Sequence, residues 1–244
     1  MSDNKKTLPE ITLVAISSVH LYETVRALLY SMRGIEYGDV LLLSHHKPRY
    51  LPKKIRFERI GELKNIDDYS HFCIYELGKH IWTDYALIVH HDGFVVNPSS
   101  WQDSFLQYDY IGSPWPLPKD GVRYRDALGN IVRVGNGVSL RSKRLMDFPE
   151  KAGIPWEKTQ SGDYNEDCFL CCKNKVLLEE NGMRFAPLDV AVHFGREHTI
   201  PENEGIEPFL FHQWRGENRK YPHFRNIPER IFLKGKRLLR RKSV

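Results

Sequence analysis

Two imidazoles and a carboxylate stand in succession at His90, His91 and Asp92, directly after the uncharged run Tyr85, Ala86, Leu87, Ile88 and Val89. Imidazole and carboxylate together suit a divalent cation or a phosphate-bearing ligand. An extended backbone alternates sides with period two, so His90 and Asp92 share a face as a His-x-Asp pair while His91 points the other way. A polar exit from a buried strand into the turn at Asn97-Pro98 has the same composition, and this stretch alone leaves both readings open.

The elements around these residues follow from apolar patterning. The run from Tyr85 to Val89 reads as a strand buried on both faces, of the kind found in parallel sheets. Upstream, Ile11 to Ser17 reads as a first strand, His20 to Met32 as a helix stopped by Gly34, Val40 to Ser44 as a second strand and Ile55 to Ile60 as a third. Asp67 or Asp68 can cap a helix whose apolar face holds Phe72, Tyr75, Leu77 and Ile81. Strands alternating with helices imply right-handed crossovers and a mainly parallel sheet, and ligands of such sheets bind outside the carboxyl ends of the strands. Ser17 and Ser18 are placed at one such end and His90 to Asp92 at another.

After the first hundred residues the pattern changes. Tyr108 to Trp115 is aromatic and turn-rich, and Val122 to Val134 carries two short alternating runs around Gly129-Asn130, a hairpin signal. Gly135-Asn136-Gly137 leads into Val138 to Ser142, and Glu166 to Glu180 reads as one strong helix ended by Asn181-Gly182. The expected architecture is a single α/β domain with a mixed, mainly parallel sheet, spanning residues 1–227, followed by a basic tail over 228–244.

Composition narrows the class. The 244 residues suffice for a full core, and no apolar run of about 18 or more residues exists to span a membrane. The opening residues MSDNKKTLPE lack the apolar core of a signal peptide, so a cytoplasmic location is expected. Cys168, Cys171 and Cys172 fall at helical spacing in an apolar stretch, which points to packed thiols rather than a zinc knuckle, and with Cys73 they suit a reducing compartment. Of the net charge of +5, residues 228–244 hold seven basic groups against one acid, which leaves the rest of the chain near neutral. A basic groove for nucleic acid is therefore not expected.

The chain resembles the glycosyltransferases of the GT-A fold, and in particular a family of small GT-A-like domains catalogued as of unknown function. The resemblance runs from about Ile11 to Trp214 on an ordered series: Tyr69 to Phe72 (YSHF), the strand into His-His-Asp-Gly, Tyr108 to Trp115 (YDYIGSPW), Gly135 to Ser142 (GNGVSLRS), Asn165 to Phe169 (NEDCF) and Phe209 to Trp214 (FLFHQW). Each motif is weak alone, and their order carries the specificity. The resemblance implies a Rossmann-like GT-A domain that moves a sugar from a nucleotide-sugar donor to a glycan or lipid-linked glycan hydroxyl with inversion, using Mn²⁺ or Mg²⁺. It implies metal ligands at Asp92, His90 and His212, with His90 where the usual signature has an Asp. It implies a general base at Asp167, with Glu166 as its orienter. Donor contacts are implied at Ser17, Ser18, Tyr69, Ser70, His91 and Gly137, and Trp115 could stack on a sugar ring. Val138 stands where the family pattern has a further glycine.

Two other functions fit parts of this picture. A sugar-nucleotide pyrophosphorylase shares the architecture but calls for a Gly-rich, Arg- and Lys-bearing loop after the first strand, which SSVHLYET is not. A non-catalytic glycan-binding or scaffold module of a polysaccharide assembly complex is the other. From Pro228 the tail sets Ile231, Phe232, Gly235, Leu238 and Leu239 on one helical face, opposite Arg230, Lys234, Lys236, Arg237, Arg240 and Arg241. That basic amphipathic pattern suits an anionic membrane surface and predicts peripheral attachment at the inner face of a membrane.

Overall fold

The computed structural model describes residues 5–157 and 165–224. Six strands form the main sheet: β1 (Lys6–Ile16), β2 (Ile35–Ser44), β3 (Arg56–Arg59), β4 (Tyr85–Ile88), β6 (Tyr110–Pro114) and β7 (Val134–Ser142), in spatial order β3-β2-β1-β4-β7-β6. The first four run parallel, and β7 is antiparallel to both β4 and β6. A second sheet of three short strands, β5 (Gly93–Val95), β9 (Leu210–His212) and β8 (Gly195–Arg196), lies in the order β5-β9-β8. The mixed, mainly parallel α/β sheet expected from the sequence is present.

The continuous apolar runs are explained by burial on both faces. Leu13, Ala15, Leu42, Leu87 and Val89 face one core with α1 (Leu21–Ser31), while Val14, Ile16, Leu41, Leu43, Ala86 and Ile88 face another with α2 (Ile66–Tyr75) and α3 (Lys143–Lys151). Each such Leu, Ile or Val side chain contributes about 1.5–3 kcal/mol on burial, which outweighs any local preference for another conformation. From β1 the chain steps to β2 and β3 on one side, then crosses to β4 on the other. The crevice between the carboxyl ends of β1 and β4 is therefore the switch point, where α/β sheets hold their ligands.

Three local expectations need correction. The cap of α2 is Asn65, whose side chain accepts the Asp68 N–H at 2.9 Å, so Asp67 and Asp68 lie inside the first turn. The stretch around Gly129 forms no strands: one bridge joins Arg125 to Ile131, and Asp126 holds the loop by accepting the N–H groups of Leu128 and Asn130. A carboxylate that satisfies those donors takes the place of a ladder. The expected helix from Glu166 to Glu180 is interrupted, with α4 (Glu166–Cys168) followed by a π-turn over Phe169–Lys173 and then α5 (Lys175–Glu180). The Asn174 N–H reaches back to the Phe169 carbonyl. This wider turn lets five successive side chains, Cys168 to Cys172, all be buried, which one face of a regular helix cannot do. The free thiols Cys168, Cys171 and Cys172 pack in that cluster with Trp115, as the spacing predicted.

The last α-helix among the described residues, α6 (Leu188–Phe194), leads into β8. Among the described residues no helix is long and apolar enough to cross a membrane. The basic amphipathic tail over 228–244 lies outside the described residues.

Candidate functional site

Beyond β4 the backbone turns sharply. The His90 N–H bonds the Gly93 carbonyl at 2.7 Å, and the Gly93 N–H returns a bond to His90 at 3.3 Å. This turn brings His90 near Asp92 and stacks His91 on His20, with ring centroids 4.4 Å apart and His91 Nδ1 3.6 Å from Asp92 Oδ1. The second sheet then brings in a distant residue. Gly93 lies opposite His212 in the antiparallel β5-β9 register, and a Cβ at Gly93 would stand 2.8 Å from the His212 ring, so only glycine admits that imidazole here. The Gln213 N–H bonds the Asp92 carbonyl at 2.7 Å and locks the two segments together.

The result is a cluster of His90, Asp92 and His212 whose donor atoms all lie within 4.8 Å of one another. His212 Nε2 stands 3.8 Å from Asp92 Oδ1, and the rings of His90 and His212 meet edge to face at 5.3 Å. Burial lowers the pKa of both imidazoles, that of His212 to about 3, so both are neutral near pH 7. Neutral imidazole with a free lone pair is the form that binds a metal, and a carboxylate beside two such rings is a donor set suited to a divalent cation. The donor set fits Mn²⁺ better than Mg²⁺, since imidazole nitrogen is a poor ligand for the harder ion.

Tyr69, on α2, touches the cluster. Its hydroxyl lies 2.7 Å from His90 Nε2 and so helps fix the ring. The structure thus places Tyr69, expected as a donor contact, against His90. Ser70, the next residue, is fully buried in the core of α2, so it presents no surface to a donor. Ser17 and Ser18 reach the switch-point crevice at the end of β1, where the Ser18 hydroxyl accepts the Leu63 N–H at 2.8 Å. Trp115 is buried at 3% exposure and stacks on Tyr124.

The acidic pair adjoins the same site through Gly137. A Cβ on Gly137 would lie 2.8 Å from Glu166 Oε1 and 3.2 Å from the His90 ring, so the glycine is what leaves room for both acid and imidazole beside this backbone. Glu166 is buried and accepts a hydrogen bond from Arg141 Nη2 at 3.1 Å, a pair enclosed on both sides. Asp167 is half-buried, and its carboxylate accepts the Cys168 N–H at 2.8 Å. Burial first, and then the charge of Glu166, push the Asp167 carboxyl up to about 7. A carboxylate titrating near neutral pH is suited to accept a proton in a reaction. Val138, where a further glycine was expected, is buried against Gly93.

Sequence reading missed Arg141, Asn136 and Glu197. Arg141 stands in the GNGVSLRS stretch, where its period-two placement opposite Leu140 was a usable signal. Glu197 carried no signal, because only β8 lying beside β9 brings it to His212.

Residues 53–212 match the family described as proteins of unknown function, DUF5672, and the chain belongs to that family. No curated protein matches the chain by sequence. Among solved structures, an active-site mutant of LgtC aligns over 91% of this chain and 94% of its own, at 14% identity and a TM-score of 0.50. The apo-form glycosyltransferase GlyE of Streptococcus pneumoniae TIGR4 aligns over 94% of this chain and 59% of its own, at 11% identity and a TM-score of 0.39. The likeness to LgtC shows the fold, the Rossmann-like GT-A arrangement that the ordered motifs resemble.

Proposed function

We propose that this member of the family is a divalent-metal-dependent, inverting glycosyltransferase that moves a sugar from a nucleotide-sugar donor to a glycan or lipid-linked glycan hydroxyl in surface polysaccharide assembly. The observation that carries the reading is the convergence at the switch point: His90, Asp92 and His212 gather within 4.8 Å, and Gly137 joins them to the acids Glu166 and Asp167. A bound Mn²⁺ or Mg²⁺ would supply charge to offset the growing negative charge of a diphosphate leaving group.

The chain's own residues do the rest. Asp92, His90 and His212 hold the cation, and Tyr69 keeps the His90 ring in place. Ser17, Ser18 and His91 border the crevice in which the donor nucleoside would lie, and Gly137 lets the donor sugar approach the backbone. An acceptor hydroxyl is a poor nucleophile near neutral pH, so Asp167 takes its proton as the hydroxyl attacks the anomeric carbon. Glu166, fixed by Arg141, keeps a negative charge beside Asp167 and so keeps that base strong. Attack from the face opposite the leaving diphosphate inverts the anomeric centre.

A panel of nucleotide sugars, screened by thermal shift with and without Mn²⁺, tests the reading. The expected result is stabilisation by one donor class only when metal is present, about 2.7 kcal/mol at a hundred times its dissociation constant. Nucleotide binding indifferent to chelator would remove the metal-dependent reading. NMR of the product settles the stereochemistry, and a retained anomeric configuration would take the base role from Asp167.

Peripheral attachment to the inner face of a membrane through residues 228–244 is a separate proposal, supported only by the pattern of basic and apolar side chains in that segment. Full-length protein should sediment with anionic vesicles, less so in high salt, while a chain ending at Ile227 should not. Equal partitioning of the two chains would end it.

A further inference from the structure

We infer that Glu197 is the positioning residue of the cluster, accepting the Nδ1–H of His212 so that Nε2 is presented, unprotonated, toward Asp92. This rests on the metal-site reading above and deepens it. His212 lies between two carboxylates: Nε2 is 3.8 Å from Asp92 Oδ1, and Nδ1 is 3.8 Å from Glu197 Oε1. Nδ1 is buried with no hydrogen-bond partner in this conformation, and Glu197 is the carboxylate that faces it. Hydrogen bonds within a site often stand long in the unliganded protein and tighten when it is loaded. A ligating imidazole almost always gives its second N–H to such an acceptor, which fixes both tautomer and ring orientation.

The surroundings of Glu197 hold it for this task. Its other oxygen, Oε2, accepts a hydrogen bond from Asn136 Nδ2 at 2.7 Å. Asn136 has φ of +97°, a conformation costly for any residue but glycine. Its Oδ1 accepts the Val138 N–H at 2.9 Å and its carbonyl accepts the Tyr110 hydroxyl at 2.5 Å. The backbones are pinned as well. β8 and β9 pair in parallel with Arg196 beside Phe211, so the next residues, Glu197 and His212, are neighbours across the sheet. Fully buried Asn218 sends its amide to the carbonyls of Arg196 at 2.9 Å and Glu197 at 3.4 Å on one strand, and to those of His212 at 3.2 Å and Gln213 at 3.1 Å on the other. A strained asparagine and a shared clamp are more than a solvated carboxylate needs; with Oε2 taken by Asn136 and 3.8 Å from His198 Nε2, they leave Oε1 facing His212 Nδ1.

The test combines ring-nitrogen NMR of the metal-free protein with titration by Mn²⁺ alone, followed by the EPR signal of the free ion. His212→Gln identifies the His212 resonances and defines loss of a ligand. In the wild type His212 should be in the Nδ1–H form. In Glu197→Ala it should become a mixture of tautomers, with Mn²⁺ affinity reduced about 10- to 100-fold. Glu197→Gln, which keeps an acceptor oxygen and the volume, should recover part of both and serves if the alanine variant does not fold. The same tautomer and the same Mn²⁺ affinity in the variants as in the wild type would overturn the inference while leaving the metal site intact. Loss of Mn²⁺ equal to that of His212→Gln with the tautomer unchanged would also overturn it, by making Glu197 itself a ligand. If the wild type takes up no Mn²⁺, the metal reading fails, and the NMR comparison alone decides whether Glu197 sets the His212 tautomer.

Discussion

The chain carries two His-His pairs, each at the carboxyl end of a parallel strand of one sheet, and among the described residues only one of them joins the candidate metal cluster. His45-His46 follows β2, and His90-His91 follows β4. At the first pair the two imidazoles turn on each other, His46 Nδ1 lying 2.8 Å from His45 Nε2, and His46 is exposed. At the second pair the rings part, His91 to His20 and His90 toward Asp92 and His212. The difference lies in what each strand end meets. β2 is followed by a connection to its neighbour β3, whereas β4 runs at once into β5, whose partner β9 delivers His212 from 119 positions downstream along the chain. An imidazole becomes a candidate ligand when the fold desolvates it beside a carboxylate, and β2 provides no such neighbours.

The sharpest test of that contrast is at the acid pair, which the second His-His site has and the first lacks. Asp167→Asn should lower turnover roughly 10² to 10⁴-fold while Mn²⁺ binding stays unchanged. In the wild type the rate should rise with pH through about 7, because Asp167 acts only when deprotonated and its carboxyl is pushed up to about 7 by burial and by Glu166. Stopped or steady-state assays across pH 5 to 9 in roughly unit steps read both effects.

Next in size is the metal cluster itself. Asp92→Asn removes the only carboxylate of the three donors and should weaken Mn²⁺ by at least about a hundredfold by calorimetry, without loss of folding. Retention of Mn²⁺ affinity would mean that the two His-His pairs do not differ in the way argued above.

Smaller effects fall on stability. Gly137→Ala would place a methyl 2.8 Å from Glu166 Oε1, and overpacking of this kind costs about 1–3 kcal/mol, read as a lower thermal midpoint. The folded-state pKa of His212 is depressed to about 3 from 6.5, so between those values the unfolded chain binds more protons than the native one. Stability of the metal-free protein should therefore rise with pH across that window and be lost as pH falls through it. Denaturant titrations should show His212→Asn with a flatter dependence. The smallest effect belongs to the first pair: replacing both His45 and His46 by alanine should leave Mn²⁺ affinity within about 0.5 kcal/mol of the wild type.

Much of this arrangement is legible in the chain. The run from Tyr85 to Val89 is uncharged because it is covered from both sides, and that alone identifies a buried parallel strand and its loaded end. The period of an extended chain does not carry past β4, because His91 and Asp92 stand in a turn and His91 Nδ1 lies 3.6 Å from Asp92 Oδ1. The interruption of the Glu166 to Glu180 helix was not legible, because Cys168 to Cys172 satisfy a helical pattern locally and the π-turn answers to packing around them.

What the sequence determined by itself is therefore the set of strands, their burial, and which residue types stand at their ends, since these depend on hydrophobic periodicity over a few residues. What only the tertiary structure decided is which of those residues meet. Only α2 sets the Tyr69 hydroxyl on His90 and buries Ser70, and Glu197 could pass for an ordinary surface acid until β8 paired beside β9. Burial and strand pairing act between residues far apart in the chain, and it is desolvation and a fixed neighbour, not residue type, that keep His212 neutral and bring Asp167 to the middle of the pH range.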